Sequence, residues 1–313
     1  MFILILAMFT LFPTALLATE CDINLKRDIT DLNIEIEKIL EEESKQRQSQ
    51  SDRLTDTRGL RLRKFYDQCL LAAVNATPVA DLSVAQITEL FNIVNVIHFY
   101  AGEKEQVGLA KKLVEELVAR KGEHQVVPRL FELSQMMVQS RLFDEYNELE
   151  LDHQELSFPA LPKISKLEKT ELDGRPILQV TDEGLSIISH RFPSAGYVIV
   201  VGHPLCHFSQ NARRDIASDA VLSNIMRHKS SWLIPPGRRL YFAETLEANQ
   251  ASNLSPFAYA HAKSDWPEIG YWGTPTFYFY YNGQLRHQLV GWPGEANIAE
   301  LKKGLVMIGL LER

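Results

Sequence analysis

Through the first half of the chain, apolar residues recur three and four positions apart. Over residues 28–43 they are Ile29, Leu32, Ile36, Ile39 and Leu40, with acids and Lys38 between them. That spacing predicts an amphipathic helix. A polar tract at 42–57 interrupts it, and a second helix with Leu60, Leu62, Phe65, Cys69, Ala72 and Ala73 follows. The two are expected to form a helical hairpin within residues 19–80. Pro78 ends that unit, and Asp81 and Ser83 supply caps for the next helix. Residues 84–100 then carry Ile87, Leu90, Phe91, Val94, Ile97 and Phe99, a strongly apolar helix. Gly102 marks a turn before a helix at 107–120, and a similar pair recurs at 127–138 and 142–153.

Two helix–turn–helix units in succession, over residues 81–156, resemble tetratricopeptide-type repeats and fit an ordinary helical bundle equally. Phe158, Pro159 and Pro162 end the helical pattern. Prolines this close exclude regular structure, so residues 157–175 are expected to be a linker. The period then changes. Residues 176–180 and 185–189 read as strands around an Asp182-Glu-Gly184 turn. Tyr197–Val201 is an unbroken aromatic and β-branched run between Gly196 and Gly202, the pattern of a strand covered on both faces. After the break comes Cys206, and then Ala212, Ile216, Ala220, Leu222 and Ile225 at helical spacing. Residues 232–236 read as a loop, 240–242 as a second sheet strand, and the stretch to Glu268 as short helical patches. Pro275 opens a strand, where its missing N–H disturbs no ladder. Asn282-Gly283 between apolar runs is a hairpin signal, and Ile298, Leu301, Leu305 and Ile308 close the chain with a helix.

Composition narrows the function classes. The chain has 313 residues, 45% of them hydrophobic, enough for more than one ordinary core. A net charge of −7 excludes the basic excess of a nucleic-acid binder. Residues 2–18 carry no charge and end in small residues, which predicts a signal peptide cleaved after Ala18, despite an n-region without Lys or Arg. Export follows, to the periplasm or another exported compartment, with no membrane span left after cleavage. Pro13 and the short run argue against an uncleaved anchor. The three cysteines are an odd number for an exported chain. The economical arrangement pairs Cys21 with Cys69 and leaves Cys206 free; the alternative leaves Cys21 unpaired at a frayed terminus.

Strand, tight break, cysteine and helix put the Cys206 thiol at a helix N-terminus. There unpaired N–H groups and the positive dipole end favour the thiolate that attacks disulfides. His203, Cys206 and His207 also form a His-x-x-Cys-His cluster. Adjacent Cys and His rarely converge on one ion and no fourth ligand is spaced for one, so no metal and no cofactor is expected.

Cys206-x-x-Ser209 after a strand, a Gly-Thr-Pro-Thr strand opening at 273–276, an Asn-Gly hairpin, Val-Gly and a terminal helix occur in one order. That order resembles the thioredoxin-like superfamily over about residues 176–313. Joined to the helical pattern of the first half, the resemblance implies an α+β chain: an all-α N-terminal region followed by a thioredoxin-like α/β/α domain. It further implies that Pro275 is cis and lies beside Cys206, and that Thr274 and Pro275 form a substrate ledge. Thr274 itself resembles the choice made in periplasmic disulfide isomerases. The departures bear on the chemistry. Ser209 stands where the family has its resolving cysteine, Leu205 where it usually has Trp, and residues 197–201 lack the buried acid. One nucleophile remains, with Ser209 as a donor to its thiolate and His207 next door as a candidate for favouring the charged form. The expectation is a monothiol thiol–disulfide exchanger acting on protein or low-molecular-weight thiols and disulfides, resolved by an external thiol reductant. The alternative is a binding or assembly protein that docks through its helices and keeps the thioredoxin-like scaffold without catalysis.

Overall fold

The computed structural model describes residues 23–47, 54–165, 174–191, 193, 195–294 and 296–312. The expected signal segment 1–18 lies outside them, as does Cys21. In the helical region, α1 (Leu25–Arg47) buries Ile29, Leu32, Ile36 and Ile39, the stripe their spacing predicts. α2 (Arg58–Phe65) passes through a π-helical turn at Tyr66–Leu70 into α3 (Leu71–Ala76). α4 (Val84–Ala101) begins at a capping box: Ser83 Oγ accepts from the Gln86 N–H, and Gln86 Oε1 accepts from the Ser83 N–H. Two otherwise orphaned donors are satisfied together. The helix stops at Gly102, whose φ of 74° lies in the left-handed region that costs glycine nothing. α5 (Lys104–Lys121), α6 (Val127–Gln139) and α7 (Phe143–Asp152) follow.

α1, α2 and α5 all pack on α4, and α6 packs on α5. A single hydrophobic core therefore runs from Leu25 to Phe158, through what the sequence divided at residue 80. Phe99 is a correction: expected in the apolar stripe of α4, it is exposed. The inward position four residues after Val94 is His98, so the next position turns outward.

Among the described residues, the C-terminal domain is built on one eight-stranded mixed sheet in the order β1-β3-β2-β6-β5-β4-β7-β8. Its strands are β1 (Ile164–Ser165), β2 (Arg175–Thr181), β3 (Gly184–His190), β4 (Tyr197–Val201), β5 (Ser230–Ile234), β6 (Phe257–Ala260), β7 (Thr276–Tyr281) and β8 (Gln284–Val290). Its helices are α8 (His207–Ser218), α9 (Ala220–His228), α10 (Phe242–Gln250) and α11 (Ala296–Met307). Within the sheet, β4 pairs parallel with β5 and antiparallel with β7, which pairs antiparallel with β8. With α8 and α11 on one face, β5-β4-β7-β8 fits the arrangement that the thioredoxin-like resemblance implies. β6, β2, β3 and β1 extend the sheet beyond β5.

Alternation explains why β4 tolerates no polar residue. Val198 and Val200 pack with Ala212 and Ile216 of α8 and Leu301 and Leu305 of α11. Tyr197, Ile199 and Val201 face the opposite way, onto Trp266 and Ile269 from the segment after β6. The chain is thus α+β, an N-terminal helical region followed by a mixed-sheet domain.

Four local expectations are corrected. The expected linker 157–175 holds β1, paired parallel with β3, while Phe158 packs on Phe131 at 4.9 Å in the helical core. Residues 232–234, expected as loop, lie in β5, and Leu240 and Tyr241, expected as strand, precede α10. β6 falls where short helical patches are expected, because its four residues are too few to show a period. The single helix after Cys206 is two, because Asp219 Oδ1 accepts from the Val221 and Leu222 N–H groups and restarts the helix as α9.

One packing contact here is testable. A Cβ on Gly304 of α11 would come within 2.5 Å of the buried Phe279 ring. Gly304→Ala is expected to lower stability, because overpacking of about 1–3 kcal/mol outweighs the ~1 kcal/mol helix-propensity gain. A lower urea midpoint at unchanged m-value is the readout, and a raised midpoint refutes the contact.

Candidate functional site

The break after β4 begins at Gly202, whose N–H donates to the Leu233 carbonyl at 2.9 Å. A Cβ there would meet the Trp232 ring at 2.8 Å, so the turn can form close to β5 only with glycine. The Cys206 N–H donates to the His203 carbonyl at 3.0 Å, and Cys206 becomes the N-cap of α8. Its side chain is half-buried and is the free cysteine among the described residues. Cys69, buried in the helical core, is disulfide-bonded; the expected partner Cys21 lies outside the described residues.

The Thr274–Pro275 peptide bond is cis, and the Cys206 thiol donates to the Thr274 carbonyl oxygen at 3.5 Å. Burial alone pushes the thiol pKa up. Hydrogen bonds from the Thr274 hydroxyl, the Ser209 N–H and hydroxyl, and the Phe208 N–H more than offset it, leaving Cys206 below the usual thiol value. The two N–H donors are orphan groups of the first turn of α8, which stabilise an anion at that end, while the hydroxyls come from Ser209 and, across the site, from Thr274. Ser209 is fully buried and its hydroxyl also accepts from the His203 N–H at 3.3 Å.

The structure brings Cys206, Ser209, Thr274 and Pro275 together. It does not bring His207 to the sulfur: His207 is exposed, and its ring lies 3.9 Å from that of Phe208. The first residue of α8 points outward, so the imidazole that shares the groove with Cys206 is His203. The His203 Nδ1 accepts from the Leu205 N–H at 3.1 Å, and its ring stands edge-on to Tyr241 at 5.4 Å. Burial lowers its pKa, partly opposed by Glu244, so it is held as a neutral acceptor. Among the described residues, no three His, Cys, Asp or Glu side chains converge as a metal site.

Residues 235–241 are site residues that the sequence pattern does not single out. They form the far wall of an open groove of about 580 Å³ at Cys206, with Arg238, Arg239 and Tyr241 on it. The available signal was a basic pair after Pro235-Pro236-Gly237, in a chain of net charge −7.

Fold and site together are a helical region joined to a mixed-sheet domain in which, among the described residues, the free cysteine stands at a helix N-terminus beside a cis-proline. No family model matches the chain, and no curated protein matches it. Among solved structures it is similar to a thioredoxin-like protein from Bacteroides caccae ATCC 43185. The likeness is 11% identity over 78% of this chain and 92% of that one, at a TM-score of 0.27.

Proposed function

We propose that the chain is an exported monothiol thiol–disulfide exchanger with Cys206 as its nucleophile. The observation that carries this reading is the half-exposed sulfur at the start of α8, surrounded by Ser209, Phe208 and Thr274 donors that favour the thiolate. The thiolate attacks one sulfur of a client disulfide. A Cys206–client disulfide forms, the client S–S bond breaks, and the expelled thiolate takes a proton from solvent. Thr274 and Pro275 border the sulfur and serve as the ledge for the incoming chain. Ser209 cannot attack the mixed disulfide, so a second, external thiol releases the client. The uncharged segment 2–18 supports export, to the periplasm or an equivalent compartment, and a Cys21–Cys69 bridge fits an oxidising one.

The test is the pH dependence of Cys206 alkylation, together with reaction toward glutathione disulfide, using Cys206→Ala as control. The reading expects an inflection below that of a free cysteine, about 8.5, and a mixed disulfide with wild type alone. An ordinary inflection with no mixed disulfide overturns it. The binding-or-assembly reading, favoured by the buried Ser209 in the resolving position, then takes its place.

Ser209→Cys gives a further expected outcome. A thiol there lies next to Cys206 and attacks the mixed disulfide from within, so trapped clients should be released without added reductant. The readout is loss of the covalent adduct on non-reducing gels. A persistent adduct in Ser209→Cys would mean that the two side chains are not within exchange reach.

A further inference from the structure

The groove at Cys206 does not end at its far wall. Arg238, Arg239 and Tyr241 also line a second cleft of about 350 Å³, whose opposite side is built by the helical region. Phe131 and Gln135 of α6 and Leu161 face it there. Each compartment falls within the ~300–1,000 Å³ that encloses a drug-sized ligand, so together they exceed what one small thiol fills. A chain running from the sulfur past residues 238–241 would leave the thioredoxin-like domain and lie between the two regions.

The lining is incompletely satisfied. Arg238 is tied down, donating to the Asn95 carbonyl and side-chain oxygens at 2.9 and 2.7 Å and lying 5.3 Å from the Phe99 ring. Arg239 is exposed and makes no hydrogen bond or ion pair among the described residues, even with Glu244 in the same cleft. Gln135 is half-buried, and its amide has no partner among those residues. A free guanidinium and a free amide beside an apolar recess match an extended polypeptide. The amide can pair a client peptide group, the recess at Phe131 and Leu161 takes an apolar side chain, and the guanidinium takes a carboxylate.

We infer that the cleft is the client site of Cys206, and that it selects an extended segment carrying an acidic and an apolar residue beside the reactive cysteine. This rests on Cys206 acting as the nucleophile. The helical region is then half of the substrate site.

The test uses 2-thiopyridyl disulfides. Cys206 attacks the probe's cysteine sulfur, the bond to the pyridyl sulfur breaks, and pyridine-2-thione leaves and is read by absorbance. Three probes are compared on the full chain: an extended peptide with Glu and Phe flanking the cysteine, the same peptide with Lys for Glu, and N-acetylcysteine amide. The Glu peptide is expected to react fastest, on the order of tenfold over the Lys peptide at low ionic strength, with the gap closing as salt rises. Arg239→Glu should reverse that order. Gln135→Trp, which fills the cleft from α6, should slow both peptides relative to the small probe; circular dichroism checks that the variant folds. Equal rates for the two peptides, or an order unchanged in Arg239→Glu, overturn the charge selection. A small probe as fast as the Glu peptide overturns the cleft and points to a small-thiol substrate. No reaction with the small probe refutes the nucleophile itself, and this inference with it.

Discussion

Cys206→Ser leaves the fold intact and abolishes covalent capture of clients, with exchange falling to the uncatalysed background. Serine nearly matches cysteine in shape, and Cys206 is half-exposed, so the stability change should stay within about 0.5 kcal/mol. The hydroxyl does not ionise in the accessible range and cannot form a disulfide, so all covalent chemistry is lost. In the wild type, the rate should rise with pH as the thiolate fraction grows, and level off once Cys206 is ionised. Ser209→Ala removes one of the donors to the sulfur and should move the inflection upward, toward a free thiol. Stopped-flow exchange with a small disulfide across pH gives both results. Residual capture in Cys206→Ser would place the chemistry elsewhere, and an unmoved inflection in Ser209→Ala would remove that residue from the site.

Acid should destabilise the fold well before its carboxylates titrate, through His98. The side chain is fully buried between α4 and α6, with Nε2 2.8 Å from Ser140 Oγ. The Ser140 hydroxyl donates to the Gly102 carbonyl at 3.3 Å, which makes Nε2–H the donor to Ser140 and leaves Nδ1 without a partner. Burial, then Arg238 and Lys263, lower its pKa to about 3. Between that value and an unfolded value of about 6.5, the unfolded chain binds a proton that the folded chain refuses. Stability is therefore fully present above pH 6.5 and falls as pH drops through the window, by roughly 2–3 kcal/mol at pH 4.5 for this one group. His190, lowered to about 4 by burial and Arg175, loses stability in the same direction. Urea unfolding at pH 7.5 and 4.5 should show a large drop in wild type and a smaller one in His98→Leu. Equal drops in the two proteins would mean that His98 does not carry the effect.

His98 also shows why the sequence misplaced Phe99. Both residues continue the apolar run of α4, and hydrophobicity alone favours phenylalanine at the inward position. The helical period places His98 there instead, and Ser140, from a turn 42 positions away in sequence, makes the burial tolerable. Where one element's own period carried the information, the reading was direct. The Ser83 cap of α4, the alternation in β4 and the Asn282-Gly283 hairpin, whose φ values are 49° and 71°, are of this kind, whereas Asp81, expected as a second cap, ends the preceding 3-10 turn. Where a short segment was shaped by its neighbours, it was not. β1 has two residues and exists only through β3, while β6 has four and is held between β2 and β5. Neither can show a period of its own.

The candidate site divides along the same line. By itself the sequence determined that one cysteine follows a buried strand and opens a helix, that serine stands in the resolving position, and that a Thr-Pro strand follows. All of these are local, set by backbone propensity, turn chemistry and residue identity over a few positions. Only the tertiary structure decided what surrounds the sulfur. It sets the Thr274 carbonyl 3.5 Å from Sγ, turns His207 outward and leaves His203 in the groove. It also runs residues 235–241 between the two regions. Those relations join positions tens to more than a hundred residues apart. They are fixed by how the strands order in the sheet and how α6 packs beside it, which no short-range pattern in the chain encodes.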